Sequence, residues 1–226
     1  MSVFNADRFL RDFQDLDYKA TCERNVFTKY EIIGVRAAII KKRAKAIIKS
    51  DYLDDFLNNQ DFKSYDEMIL YAYVLNDYKD FKKCIKLVEN LLKKTDNWSV
   101  CDTLKPKIFG LFREEVATKV DKWLKSNKIY MVRFAILVLL RHFLNDLESL
   151  DKVHSIKSNN YYINMARAWF FTASFTANYD ITYDFVIKNK LDKDTFNMMY
   201  EKCYESKKLE KEKRLKLKEL RKAIFS

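Results

Sequence analysis

The chain of 226 residues contains only two glycines and one proline. Tight turns between strands draw on both residues and helix interiors tolerate neither, so their scarcity argues against sheet-rich folds and predicts an all-α one. Histidine is equally rare: His142 and His154 do not form a zinc-spaced set with the cysteines. Cys22, Cys84, Cys101 and Cys203 are scattered without a Cys-x-x-Cys pair, which argues against a disulfide framework and against structural zinc. Long apolar runs are missing too. The longest, Phe134–Leu140, spans 7 residues between Arg133 and Arg141, against roughly 18–20 for a membrane helix. Asp7, Arg8, Arg11 and Asp12 interrupt any secretory signal. The expectation is a reduced, metal-free, cofactor-free cytoplasmic protein that does not enter a membrane.

The net charge of +11 is unevenly spread. Lys207–Ser226 carries nine basic and three acidic residues, leaving a surplus of only +5 on the preceding 206. Within those, Arg36–Lys49 has six basic residues and no acidic one, whereas Asp51–Asp80 has eight acidic and two basic. Segregated charge of this kind builds a positive stripe suited to phosphates, although Lys-rich helices also solvate their outer faces this way.

Four joints of similar wording recur: Lys94-Thr95-Asp96-Asn97, Lys125-Ser126-Asn127, Lys157-Ser158-Asn159 and Lys188-Asn189-Lys190. Counted at Asp96, Ser126, Ser158 and Lys190, the steps are 30, 32 and 32 residues. An amphipathic segment precedes each joint (Cys84–Lys93, Val116–Leu124, Leu147–Ile156, Ile181–Ile187). A more apolar one follows (Trp98–Leu104, Ile129–Leu140, Tyr161–Phe171, Phe196–Tyr204). Self-similarity at this period predicts stacked helical hairpins, none of which can bury its apolar face without a neighbour. The expected fold is a right-handed superhelix, a solenoid of HEAT-like helical hairpins, forming one domain over residues 1–226. Upstream, helices are expected at Val3–Leu16, Lys19–Tyr30, Val35–Lys49, Tyr52–Leu57 and Tyr65–Leu75, with Gly34 breaking the chain before the third. Pro106 ends the Trp98 segment or starts another turn. Residues 207–226 form a basic C-terminal helix or tail.

Trp98 and Asp102 are four residues apart and so share one helix face. Asp102 stands among Val100, Cys101 and Leu104, where a carboxylate costs free energy unless it is paired, hydrated or used. One repeat on, Arg133 lies in the apolar run Met131–Ile136; in the next, Trp169 lies in Met165–Phe170. These four would line one solvent-open concave groove. Structural explanations compete: repeat tryptophans are commonly core, and an arginine in an apolar helix commonly pairs with a joint carboxylate.

The wording Gly34-Val35-Arg36 with the basic helix through Ala44-Lys45, Asn97-Trp98-Ser99-Val100-Cys101-Asp102, Val132-Arg133-Phe134-Ala135, Tyr161-Tyr162-Ile163-Asn164-Met165-Ala166, Ala168-Trp169 and Glu205-Ser206 resembles the AlkD-like DNA alkylation repair family, HEAT-like-repeat DNA glycosylases, over nearly the whole chain. The resemblance implies release of cationic 7-alkylguanine and 3-alkyladenine from duplex DNA, without turning the base out of the helix. It implies catalytic roles for Asp102, Trp98 and Trp169, with Arg133, Arg36, Lys41, Lys42, Arg43 and Lys45 on DNA. The partner implied is alkylated duplex DNA, bound by a monomer without metal. Two positions depart from the family wording: Ala37-Ala38 stands where many relatives have Thr-Pro, and Asn25 where active relatives can carry a DNA-touching aromatic. Three functions fit: a glycosylase, a non-catalytic relative that binds damaged or branched DNA, and a scaffold gripping a protein in the same groove.

Overall fold

A computed structural model describes residues 5–206 and 208–225; Val3, the expected start of the first helix, and Lys207 and Ser226, the ends of the expected tail, lie outside them. Among the described residues the fold is all-α, as expected, with two isolated bridges (Gln14 to Val35, Glu31 to Ser64) as the only β pairings. The helices are α1 (Ala6–Arg11), α2 (Leu16–Asn25), α3 (Ala37–Ile47), α4 (Leu53–Asn58), α5 (Tyr65–Asp77), α6 (Phe81–Lys94) and α7 (Trp98–Thr103). A 3-10 turn over Lys107–Leu111 follows Pro106. Then come α8 (Arg113–Leu124), α9 (Ile129–His142), α10 (Leu147–Ser155), α11 (Tyr161–Ala177), α12 (Tyr179–Asn189), α13 (Lys193–Glu205) and α14 (Lys211–Phe225). No described helix is long and apolar enough to cross a membrane.

Each of the four recurring joints marks the passage from one helix to the next, the fourth overlapping the end of α12, and in two of them the shared wording has a shared use. The Ser126 hydroxyl accepts the Lys128 N–H at 3.1 Å, and the Ser158 hydroxyl accepts the Asn160 N–H at 3.0 Å. These are the same two-residue turn, one repeat apart. Asn97, Asn160 and Asp192 then cap α7, α11 and α13 by accepting main-chain N–H groups of the first turn. Caps of this kind typically contribute about 1 kcal/mol each.

The chain divides into two compact units, one ending at Val116 and the other beginning at Ala117. In the first, α5 packs against α1, α3, α6 and α7. Helix α6 shows how such a helix is anchored: Cys84, Ile85, Leu87, Val88, Leu91 and Leu92 are buried at helical spacing while its lysines face outward. In the second unit α9, α11 and α13 form one layer, and α10 and α12 back it. Phe134, Phe170, Phe171, Phe175 and Phe196 are fully buried here, each worth roughly 1.5–3 kcal/mol of transfer free energy. Helix α14 closes the stack against α13. It buries Leu217 and Leu220, leaves Leu215 exposed, and lays Arg214 and Arg221 over the Tyr204 and Tyr200 rings. Part of the basic tail thus packs on protein.

The first two helices depart from expectation. Asp15 accepts the Tyr18 N–H and starts α2 at Leu16, so Leu16 does not end the preceding helix. Helix α2 stops at Asn25, and the non-helical segment 26–36 follows, its main chain satisfied by side chains from later in the chain. The Asp66 carboxylate, 1% exposed, accepts the N–H groups of Ile33 (2.8 Å), Gly34 (3.2 Å) and Val35 (2.7 Å). Gly34 has φ +90°, and an added Cβ would stand 2.5 Å from the Lys19 Cβ. Only glycine fits there. Asp96, from the α6–α7 joint, accepts the Thr28 hydroxyl at 2.7 Å and the Lys29 N–H at 2.8 Å.

Replacing Asp66 with Ala leaves three buried N–H groups without acceptors, at about 1–3 kcal/mol each. Urea unfolding of Asp66→Ala should show a loss of at least about 3 kcal/mol, and Gly34→Ala a loss of at least about 1 kcal/mol. An unchanged midpoint in either variant would contradict the assignment.

Candidate functional site

Helix α7 is one and a half turns long and buries Val100 and Cys101. Its other face carries Trp98, Ser99, Asp102 and Thr103, all half-buried. The i, i+4 spacing of Trp98 and Asp102 therefore puts them side by side on a face that solvent reaches. The indole is fixed at both ends. Asn97 caps the helix at its root, and the ring N–H donates to the Asn25 carbonyl at 3.1 Å. Asn25 acts here through its main chain, since its side-chain amide donates to the Thr21 carbonyl at 2.8 Å. Two residues on, Phe27 is 74% exposed on the loop that Asp96 pins. The far end of α7 is held by Asn76, whose amide donates to the Thr103 carbonyl at 2.8 Å and accepts the Lys105 N–H at 2.6 Å.

In the second unit Arg133 and Trp169 meet. Arg133 is 2% exposed; its guanidinium lies 4.7 Å from the Trp169 ring centroid and donates to the Tyr162 carbonyl at 2.6 Å. One face of the Trp169 ring is thus occupied by a cation, which orients it and draws on the same quadrupole that a cationic base would use. Beside Trp169 a hollow of about 660 Å³ follows α11 past Thr172, Ala173 and Thr176.

The expected pairing of an apolar-helix arginine with a joint carboxylate occurs at Arg167. This residue, 1% exposed, donates to Asp192 (2.7 Å), Thr195 (2.8 Å) and Asn164 (3.1 Å). Arg133 and Arg167 both run from one layer helix to the N-terminus of the next, α9 to α11 and α11 to α13. Sequence reasoning missed Arg167, Asp66 and Asn76. The signal was a charged or amide side chain inside an apolar helix, the same signal that drew attention to Arg133.

The basic helix does not act as one stripe. Arg36 pairs with Asp15 at 2.7 Å, and Arg43 lies over the Phe9 ring at 4.3 Å. Lys41 and Lys45, one turn apart, face a common hollow. Lys42 is exposed.

Stacked helical hairpins with a capped Trp–Asp face on one unit and a clamped tryptophan on the other define a helical-repeat protein. The chain belongs to the DNA alkylation repair enzyme family, whose profile matches residues 7–200. No curated protein matches it. Membership sets its role as repair of alkylated bases and its partner as DNA.

The Arg167–Asp192 tie should show in the pH dependence of stability. Desolvation pushes the Asp192 carboxyl up, but the Thr195 N–H and the Arg167 guanidinium outweigh it and hold it below the ordinary value. A depressed folded pKa adds stability that is present above the unfolded value, about 3.9, and lost as pH falls through the folded one. Wild type should therefore exceed Asp192→Asn in stability at pH 6, with the gap closing below about pH 4. A gap constant with pH would show that the carboxylate's charge plays no part.

Proposed function

We propose that this protein is a DNA glycosylase that hydrolyses the N-glycosidic bond of positively charged N7- and N3-alkylated purines in duplex DNA. The observation that carries the reading is the α7 face, where a half-buried carboxylate stands one turn from an indole whose ring is fixed by a hydrogen bond. Family membership supplies the context.

Alkylation at N7 or N3 leaves a formal positive charge on the purine, so the base is already a good leaving group. The bond from C1′ to the base nitrogen breaks with its electron pair going to the base, which departs neutral. The sugar becomes oxocarbenium-like, as in other glycoside hydrolyses. Asp102 stabilises that developing charge and takes a proton from the water that adds to C1′, leaving an abasic site. Trp98 offers a π face to the cationic nucleotide, worth on the order of 0.5–2 kcal/mol. Within the second unit, Trp169 has the π face that Arg133 leaves available for a contact of the same kind with a cation. At 2% exposure Arg133 has little surface to offer a phosphate, so in this reading it acts through its charge and by holding Trp169. Lys41, Lys42 and Lys45 meet the backbone. Arg36 and Arg43, engaged with Asp15 and Phe9, contribute field rather than direct bonds to DNA. A lesion chosen by its charge and its weak bond needs no tight pocket, which suits an open helical face.

The test is release of 7-methylguanine from methylated duplex DNA. Asp102→Asn should lower the enzymatic rate by about 100-fold or more. Equal rates for the two proteins would remove Asp102 from the mechanism. One feature favours a second reading, a non-catalytic DNA-binding relative: Asn25 stands where active relatives can carry an aromatic residue. Salt-dependent duplex binding with no base release by wild type would establish it.

A further inference from the structure

We infer that the first unit contains a dedicated phosphate site, a hollow of about 260 Å³ between α3, the C-terminal end of α5 and the segment after α7. Four lysines converge on it from two distant stretches of chain, Lys41 and Lys45 from α3 and Lys105 and Lys107 from beyond α7. Asp77 is the one carboxylate in the lining, so the hollow keeps a surplus of three positive charges. Lys107 is committed to Asp77 in an ion pair. The Lys41 ammonium is poised 5.3 Å from the Tyr73 ring centroid. Among the described residues Lys45 and Lys105 have no ion-pair partner. Like charges gathered around one concavity repel, and a bound anion converts that cost into affinity.

The hollow is also positioned. Asn76, 6% exposed, grips the chain on both sides of Leu104 through its two amide atoms, by the bonds to Thr103 and Lys105 given above. Lys105 is thereby placed three residues past Asp102, within about 10 Å of chain. Ala44 at the floor is small and leaves room for a hydrated phosphate. The ligand that fits is a phosphodiester of the DNA backbone close to the nucleotide attacked. The site would fix the register of the duplex against Trp98 and Asp102, since phosphate contacts position and do not read sequence. This inference rests on the protein's acting on DNA and adds Lys105, Lys107 and Tyr73 to the residues that meet it.

The experiment measures affinity of the full chain for an unmodified duplex across a salt series, for wild type, Lys45→Ala/Lys105→Ala and the control Lys82→Ala/Lys86→Ala. The control pair is exposed on α6, removes the same charge and lies outside the hollow. The hollow variant should bind about fivefold or more weakly near 0.1 M salt. Its plot of log affinity against log salt should be shallower by about 1–2 units, at close to one for each phosphate interaction removed. The control should match wild type. Equal behaviour of the two double variants, whether both are weakened or neither, overturns the site while leaving the glycosylase reading intact. Wild type with no salt-dependent affinity for duplex overturns both.

Discussion

In the first unit, one carboxylate makes an irregular stretch of main chain possible. Asp66 sits inside α5, where a charge is costly, and accepts three consecutive N–H groups from a segment more than thirty residues earlier. Those donors have no partner within a helix or a strand ladder, because 26–36 is irregular and Gly34 is left-handed. Burial pushes the Asp66 carboxyl up, against the three N–H donors that act to lower it. Without this acceptor the segment could not stay packed against α5, and the start of α3 would lose its position.

The same device recurs at the reach of one repeat or, for Asp96, of two. Asp96 holds the loop that carries Phe27, Asn76 holds the end of α7, Tyr65 meets Ser99 at 2.6 Å, and Arg133 and Arg167 tie each layer helix to the next. Helical hairpins of this length cannot stand alone. Their apolar faces supply adhesion without much direction, whereas each polar tie has one geometry. Burial thus accounts for the stacking, and buried polar groups account for how one hairpin is placed on the next within each unit.

The candidate site uses parts that this scaffold already holds still. The Trp98 indole is set by a capped helix end and by a carbonyl at the end of α2, and Asp102 follows one turn later. Trp169 is set by Arg133. Neither tryptophan is core, although repeat tryptophans commonly are. The cause is the short α7 in one case and, in the other, the stripe of small residues along α11 that leaves a hollow beside the ring. Catalysis that rests on charge stabilisation benefits from groups that need not reorganise.

The residues of the chain, read in order, determined the helical class, the four joints and most helix spans, because apolar periodicity, scarce glycine and proline, and capping side chains act locally. They also singled out Trp98, Asp102, Arg133 and Trp169 by type and spacing. Only the tertiary structure decided which polar side chain met which backbone. Arg167, which the sequence did not single out, took the carboxylate of Asp192. Asp96 took the Thr28 hydroxyl and the Lys29 N–H where a helix reaching Tyr30 was expected, and the basic helix divided its charges among Asp15, Phe9 and a lysine-lined hollow. Local propensity sees a few residues at a time, while the partners of a buried charge lie a full repeat away and are fixed by packing.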